Sequence, residues 1–200
     1  MTTDKFIKNK TVLITLLSAC LIVIISLGIR QTFGMFYFDF STDLGITLSQ
    51  FGFAMGLQMF LWGAFAPWFG IITDKYGGHI AVFIGFIFYL AGILLLISDY
   101  NTGLYFVTGM GVLVGVALGG TAISIPVSVV AKHFPQTNRT AAIGIVTAAG
   151  SFGYFVSPVL TQQSLFEFGW ENTLLIFAAL ILLGSIISFF LTTPKNVAGG

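Results

Sequence analysis

Only 8% of the 200 residues are charged, while 56% are hydrophobic and 16% aromatic, and the net charge is +1. Soluble domains carry about 25% charged residues, so this chain cannot clothe a water-facing surface, and its charge offers no footprint for nucleic acid. Its solvent is lipid, and lipid admits only helix bundles and closed barrels, because every backbone polar group must be paired internally.

The apolar runs are continuous and about 20 residues long, the length at which a helix crosses the hydrocarbon core. Barrel strands would instead alternate over about ten residues. The runs predict spans at 12–37, 48–72, 79–98, 103–130, 139–161 and 171–192. Polar connections are expected at 39–45, 73–78, 99–102, 132–136 and 165–169.

Lys5, Lys8 and Lys10 precede the first run. A basic start before apolar residues resembles a signal peptide, and Leu17 to Cys20 resembles a lipoprotein processing site. The run continues past Cys20 to Ile29, which favours an ordinary first helix. Cys20 is the single cysteine, so no intrachain disulfide forms.

Arg30 lies in this first run, about eight residues or roughly 12 Å below its outer end. A cation facing lipid there costs about 2.5–3.5 kcal/mol on insertion scales. No Asp or Glu lies within another apolar span to neutralise it. Either the guanidinium meets an anionic substrate in a bidentate fork, or it snorkels outward to pair with Asp39 or Asp43.

Polar stripes point to a cavity. Ser26, Arg30 and Tyr37 share a face of the first span. Gln58 and Trp62 are one turn apart on the second. Thr121, Ser124 and Ser128 align on the fourth, and Thr147, Ser151 and Tyr154 on the fifth. Helix packing is the alternative for each stripe, since Ser and Thr bond across helices. The third span has only Tyr89, and the sixth little beyond Ser185 and Ser188. Gly52 and Gly56, and Gly111, Gly115 and Gly119, have the spacing that lets helices approach closely. Pro67, Pro126 and Pro158 are expected to bend their helices.

Seven of the eight Lys and Arg residues fall on one side of the membrane: Lys5, Lys8, Lys10, Lys75, Lys132, Arg139 and Lys195. The positive-inside rule places both termini in the cytoplasm of a cell (inner) membrane. Tyr100, Tyr105 and Trp170 are expected in an outer aromatic belt, Trp68 and Tyr76 in an inner one.

Asp74-Lys75-Tyr76-Gly77 before the third span matches Glu167-Phe168-Gly169 before the sixth, an acidic residue, an aromatic and a glycine. The first three spans start inside and the second three outside, the arrangement of two inverted three-helix repeats. Gly70-x-x-x-Asp74-Lys75-x-Gly77-Gly78-His79 resembles the signature loop of the major facilitator superfamily, although Gly78 and His79 stand where that family has two cations. Phe134-Pro135 with Arg139 and Gly144, and the run Gly144 to Gly153, also look like it. Gly28 to Gly34 is similar to the bacterial monocarboxylate-porter-like branch.

The resemblance implies an all-α membrane protein, twelve helices in two bundles, of which this chain is the N-terminal six. The bundle's partner is then a C-terminal six-helix half or a second copy of this chain. It implies a gating role for Gly70, Asp74, Lys75 and Gly77, with Asp74 pairing to cations at the inner gate. It also places the third and sixth helices outside the cavity.

The expected function is alternating-access transport of a small organic anion of monocarboxylate type. Arg30 is the first-choice binding residue, followed by Tyr37, Gln58, Thr121, Ser151 and Tyr154. A porter of neutral solutes or drugs and a non-transporting half-bundle scaffold are the rival readings. No catalytic constellation, metal-ligand spacing or cofactor motif is present. His79 and His133 lie at cytoplasmic connections, and no acid lies at depth for proton coupling.

Overall fold

The computed structural model describes residues 10–98 and 103–192. Lys5, Lys8, Lys195 and the 99–102 connection with Tyr100 lie outside the described residues. Five helical stretches are long and apolar enough to cross a membrane: Lys10–Asp43, Leu48–Tyr76, Gly78–Ile97, Gly103–His133 and Gln136–Ser188. The last is two helices, 136–168 and 170–188, because Gly169 turns the chain at φ 76° and ψ 174°. In chain order these are α1 to α6, and no strand occurs among the described residues.

Several helices run past the apolar runs that announced them. α1 passes through a 3-10 turn at Phe33–Phe36 and continues as Tyr37–Asp43. α2 reaches Tyr76, which shortens the expected 73–78 connection to Gly77 alone. α5 reaches 168, which leaves only Gly169 of the expected 165–169 connection. Hydropathy marks where a helix crosses lipid, whereas a helix ends only where its backbone is turned. Gly45, Gly77 and Gly169 do that turning, with φ of 66°, 94° and 76°, a region in which a Cβ is penalised. Gly77 and Gly169, matched in sequence, each form a one-residue junction between consecutive helices. α2 begins at a capping box, with Thr47 and Gln50 bonding reciprocally, which satisfies N–H groups that a helix start leaves open.

Contacts at the two ends show how the helices alternate. At one end Lys132 of α4 reaches Asp74 of α2, and Thr192 after α6 bonds Thr15 of α1. At the other, Trp170 of α6 bonds Asp43 of α1, and Gln50 of α2 lies against Gly103 of α4. A cluster of edge-to-face and stacked rings fills this second end, joining Phe36, Phe40, Phe51, Phe106 and Trp170.

α4 is the irregular helix. Residues Val107–Leu113 are π-helical, and the helix breaks at Ala122, whose ψ is −151°. Pro126, four residues on, lacks the N–H that would bond the Ala122 carbonyl, and its ring crowds that carbonyl. Pro67 and Pro158, by contrast, lie inside continuous helices. The α4 glycines admit α2 closely. A Cβ on Gly111 would stand 3.2 Å from the Ala54 carbonyl oxygen, one on Gly115 3.0 Å from Gln58 Cα, and one on Gly119 3.1 Å from Ala66 N. Gly52 and Gly56 do not share in this packing, since nothing lies within 4 Å of a Cβ there.

Trp170 departs from the expected belt. It is buried, its ring against Phe40 and its indole N–H on Asp43. The α1 extension supplies both partners, and the apolar runs alone did not foretell it. Trp68, Tyr76 and Tyr105 are exposed, as belt residues are.

Candidate functional site

Arg30 sits on α1 where α2 passes. One guanidinium nitrogen, Nη2, donates to Met59 Sδ at 2.7 Å. The guanidinium carbon lies over the Trp62 ring, 5.7 Å from its centroid, inside the range of a cation–π attraction. Arg30 Nε is buried and unpartnered among the described residues.

The rival pairing with Asp39 or Asp43 does not form. Among the described residues the one ion pair is Lys132 with Asp74. Asp43 spends one carboxylate oxygen on Trp170 and the other on the Thr42 hydroxyl. Arg30 is therefore held by two uncharged groups, a thioether and an indole face, with no carboxylate paired to it among the described residues.

The remaining predicted binding residues divide by burial. Thr121 and Gln58 are sealed between helices. The Thr121 hydroxyl donates to the Ala117 carbonyl at 3.0 Å and shares a 2.7 Å bond with Ser26. The Gln58 amide donates to the Met110 carbonyl at 3.0 Å, inside the π-helical turn of α4, while its Oε1 has no partner among the described residues. Tyr37 is half-buried, edge-on to Phe51 at 5.2 Å. Ser151 is exposed on α5, its hydroxyl 3.4 Å from the Thr147 carbonyl. Tyr154 is half-buried against the core. These two flank Gly153, whose own Cβ would stand 2.8 Å from the Ile24 carbonyl oxygen, so α5 packs directly against α1. The hydroxyl of Tyr89 donates to the Ser26 carbonyl, which ties α3 behind α1. Ser185 and Ser188 bond carbonyls of their own helix.

At the opposite end, Asp74 lies in the last turn of α2, where the helix dipole disfavours a carboxylate. Lys132 offsets this at 2.9 Å. Lys75 is exposed, and Gly70 leaves open space on α2. Gly77 supplies the turn.

The sequence pattern of the Major Facilitator Superfamily matches residues 19–199. The chain belongs to the major facilitator superfamily.

Three relatives of this superfamily chain carry the name probable nitrate transporter NarT. The protein of Staphylococcus carnosus strain TM300 is 28% identical over 156 residues, covering 78% of this chain and 39% of its own length. That of Staphylococcus epidermidis strain RP62A is 26% identical over 151 residues, with 76% and 38% covered. That of Staphylococcus aureus strain JH9 is 28% identical over 147 residues, with 74% and 36% covered. The chain thus spans less than two fifths of the length of these relatives.

In this major facilitator chain, sequence reasoning singled out Arg30 as a candidate but did not assign its contacts. Met59 and Trp62 are three apart and share a helix face; Trp62 was noted beside Gln58, but neither it nor Met59 was assigned to Arg30. Lys132 as the partner of Asp74 was likewise unassigned.

Proposed function

We propose that this protein is a secondary transporter that carries a small planar oxyanion, of the nitrate or monocarboxylate type, across the cell membrane by alternating access. The observation that carries the reading is Arg30, a cation within an apolar helix whose partners, Met59 and Trp62, are both neutral. An intramembrane charge is expensive and marks a ligand path. A guanidinium matches two in-plane oxygens with two parallel N–H groups, and nitrate and carboxylate share that geometry. The names of the Staphylococcus relatives support an anion, and the Gly28 to Gly34 resemblance supports a carboxylate.

Tyr37, Ser151 and Tyr154 supply further hydroxyls, with Gln58 and Thr121 bracing the helices behind them. The bundle rocks against a second six-helix body, a C-terminal half or another copy. Exposed apolar side chains on α2 and α5, such as Phe60, Phe155 and Leu160, are too extensive for water and suit that body or lipid. The basic residues put the Asp74–Lys132 end in the cytoplasm, where Asp74, Lys75, Gly70 and Gly77 form the gate. The described residues place no acid beside Arg30, so coupling to protons would rely on the second body.

The test is uptake by the full-length protein in proteoliposomes, with labelled nitrate, lactate and an uncharged sugar as separate substrates. Accumulation of nitrate or lactate, but not the sugar, is expected. Sugar uptake with neither anion would overturn the reading.

A further inference from the structure

Resting on the Arg30 reading, we propose that Trp62 is a positioning residue that makes the site selective for planar over tetrahedral anions, and that Met59 is a displaceable placeholder for an anion oxygen. The guanidinium carbon lies over the indole, 5.7 Å from the ring centroid; with the ring flanking the guanidinium plane, one face of the cation is covered. A planar anion approaching edge-on stays in the guanidinium plane and clears the ring. A tetrahedral anion that uses the same two N–H groups carries its other two oxygens above and below that plane, and one of them meets the indole. The quadrupole of an aromatic face is negative, so that oxygen is repelled as well as crowded.

The choice of an indole over a carboxylate has a second consequence. A carboxylate beside Arg30 would compete with the substrate for the same donors. A cation–π contact orients the guanidinium and leaves its charge available.

Met59 completes the arrangement. Its Sδ occupies the position on Nη2 that an anion oxygen would take. A thioether is a weak acceptor on a flexible, three-torsion side chain, and Met59 is exposed. An anion therefore displaces it at little cost. The buried Nε has no partner among the described residues, so a second donor of the same guanidinium is not engaged by any protein acceptor there.

The experiment is isothermal titration of the full-length protein in detergent with nitrate, formate and perchlorate. The wild type, Trp62→Phe, Trp62→Ala, Met59→Leu and Arg30→Ala are compared. The wild type is expected to prefer the two planar anions over perchlorate by about tenfold or more. Trp62→Ala should weaken nitrate about five- to thirtyfold, the span from an exposed to a desolvated cation–π contact, and bring the nitrate-to-perchlorate ratio towards one. Trp62→Phe should restore most of that ratio, and Met59→Leu should bind nitrate at least as tightly as the wild type. If Trp62→Ala does not fold, Trp62→Leu takes its place.

An unchanged ratio in Trp62→Ala or Trp62→Leu, with binding abolished by Arg30→Ala, overturns this proposal and leaves the Arg30 reading standing. Wild-type binding in Arg30→Ala overturns both.

Discussion

Trp170 Nε1 donates to Asp43 Oδ2 at 2.7 Å, which joins the last turn of α1 to the first turn of α6. The α1 extension beyond Phe36 exists to this effect, since it brings Phe40 and Asp43 to the same indole. Trp170→Phe keeps an aromatic ring against Phe40 but removes the donor and part of the buried indole. It should cost at least about 1.5–2 kcal/mol, the lower part of the range for bonds to charged groups because Asp43 is exposed. Thermal unfolding in detergent reads this. Asp43→Asn should leave anion affinity unchanged, because Asp43 is not the counter-ion of Arg30.

The Asp74–Lys132 pair is exposed, with Asp74 74% accessible. Such pairs contribute about 0–1 kcal/mol and weaken with salt. Asp74→Asn should therefore shift the unfolding temperature little, while slowing transport if the pair belongs to the gate. A charge exchange, Asp74→Lys with Lys132→Asp, should recover part of the rate. Uptake and unfolding measured side by side separate the two effects.

Gly77 and Gly169 hold their junctions at positive φ. Because their ψ values are 154° and 174°, a region essentially confined to glycine, alanine at either position should cost about 1–3 kcal/mol, with both substitutions adding because the sites belong to different helix pairs. Chemical unfolding of the two single variants and the double variant checks this.

A Cβ on Gly115 would stand 3.0 Å from Gln58 Cα, Gln58 O and Leu61 Cβ. Backbone atoms of α2 cannot step aside, so Gly115→Val should force α4 and α2 apart at about 1–3 kcal/mol. It should also disturb the Gln58 bond to Met110. Reduced thermal stability with lower expression of folded protein is the expected result.

Most of the fold was legible in the sequence because lipid imposes one simple rule, a continuous apolar run for each crossing. The runs located α1 to α6, and the glycine at each of two junctions was visible as a repeat. Helix ends were less legible. Asp39, Asp43, Asp74 and Glu167 look like connection residues, yet none of them breaks a helix, and α1, α2 and α5 end only where Gly45, Gly77 and Gly169 turn the chain. The site was legible only as a charge. Arg30 stood out because it is costly in lipid, whereas its neighbours depend on how α1 and α2 are rotated against each other. Gln58 and Thr121 show the same limit. Their polarity drew attention, but packing directs both into neighbouring helices.

The central claim is that Arg30 is the cation that binds the transported anion. Equilibrium binding of nitrate and lactate to the full-length protein, wild type against Arg30→Ala and Arg30→Lys, tests it most directly. The account predicts that Arg30→Ala loses binding by about a hundredfold or more, as for a charge-assisted bidentate pair, and that Arg30→Lys retains a weakened affinity. Wild-type affinity in Arg30→Ala would contradict it.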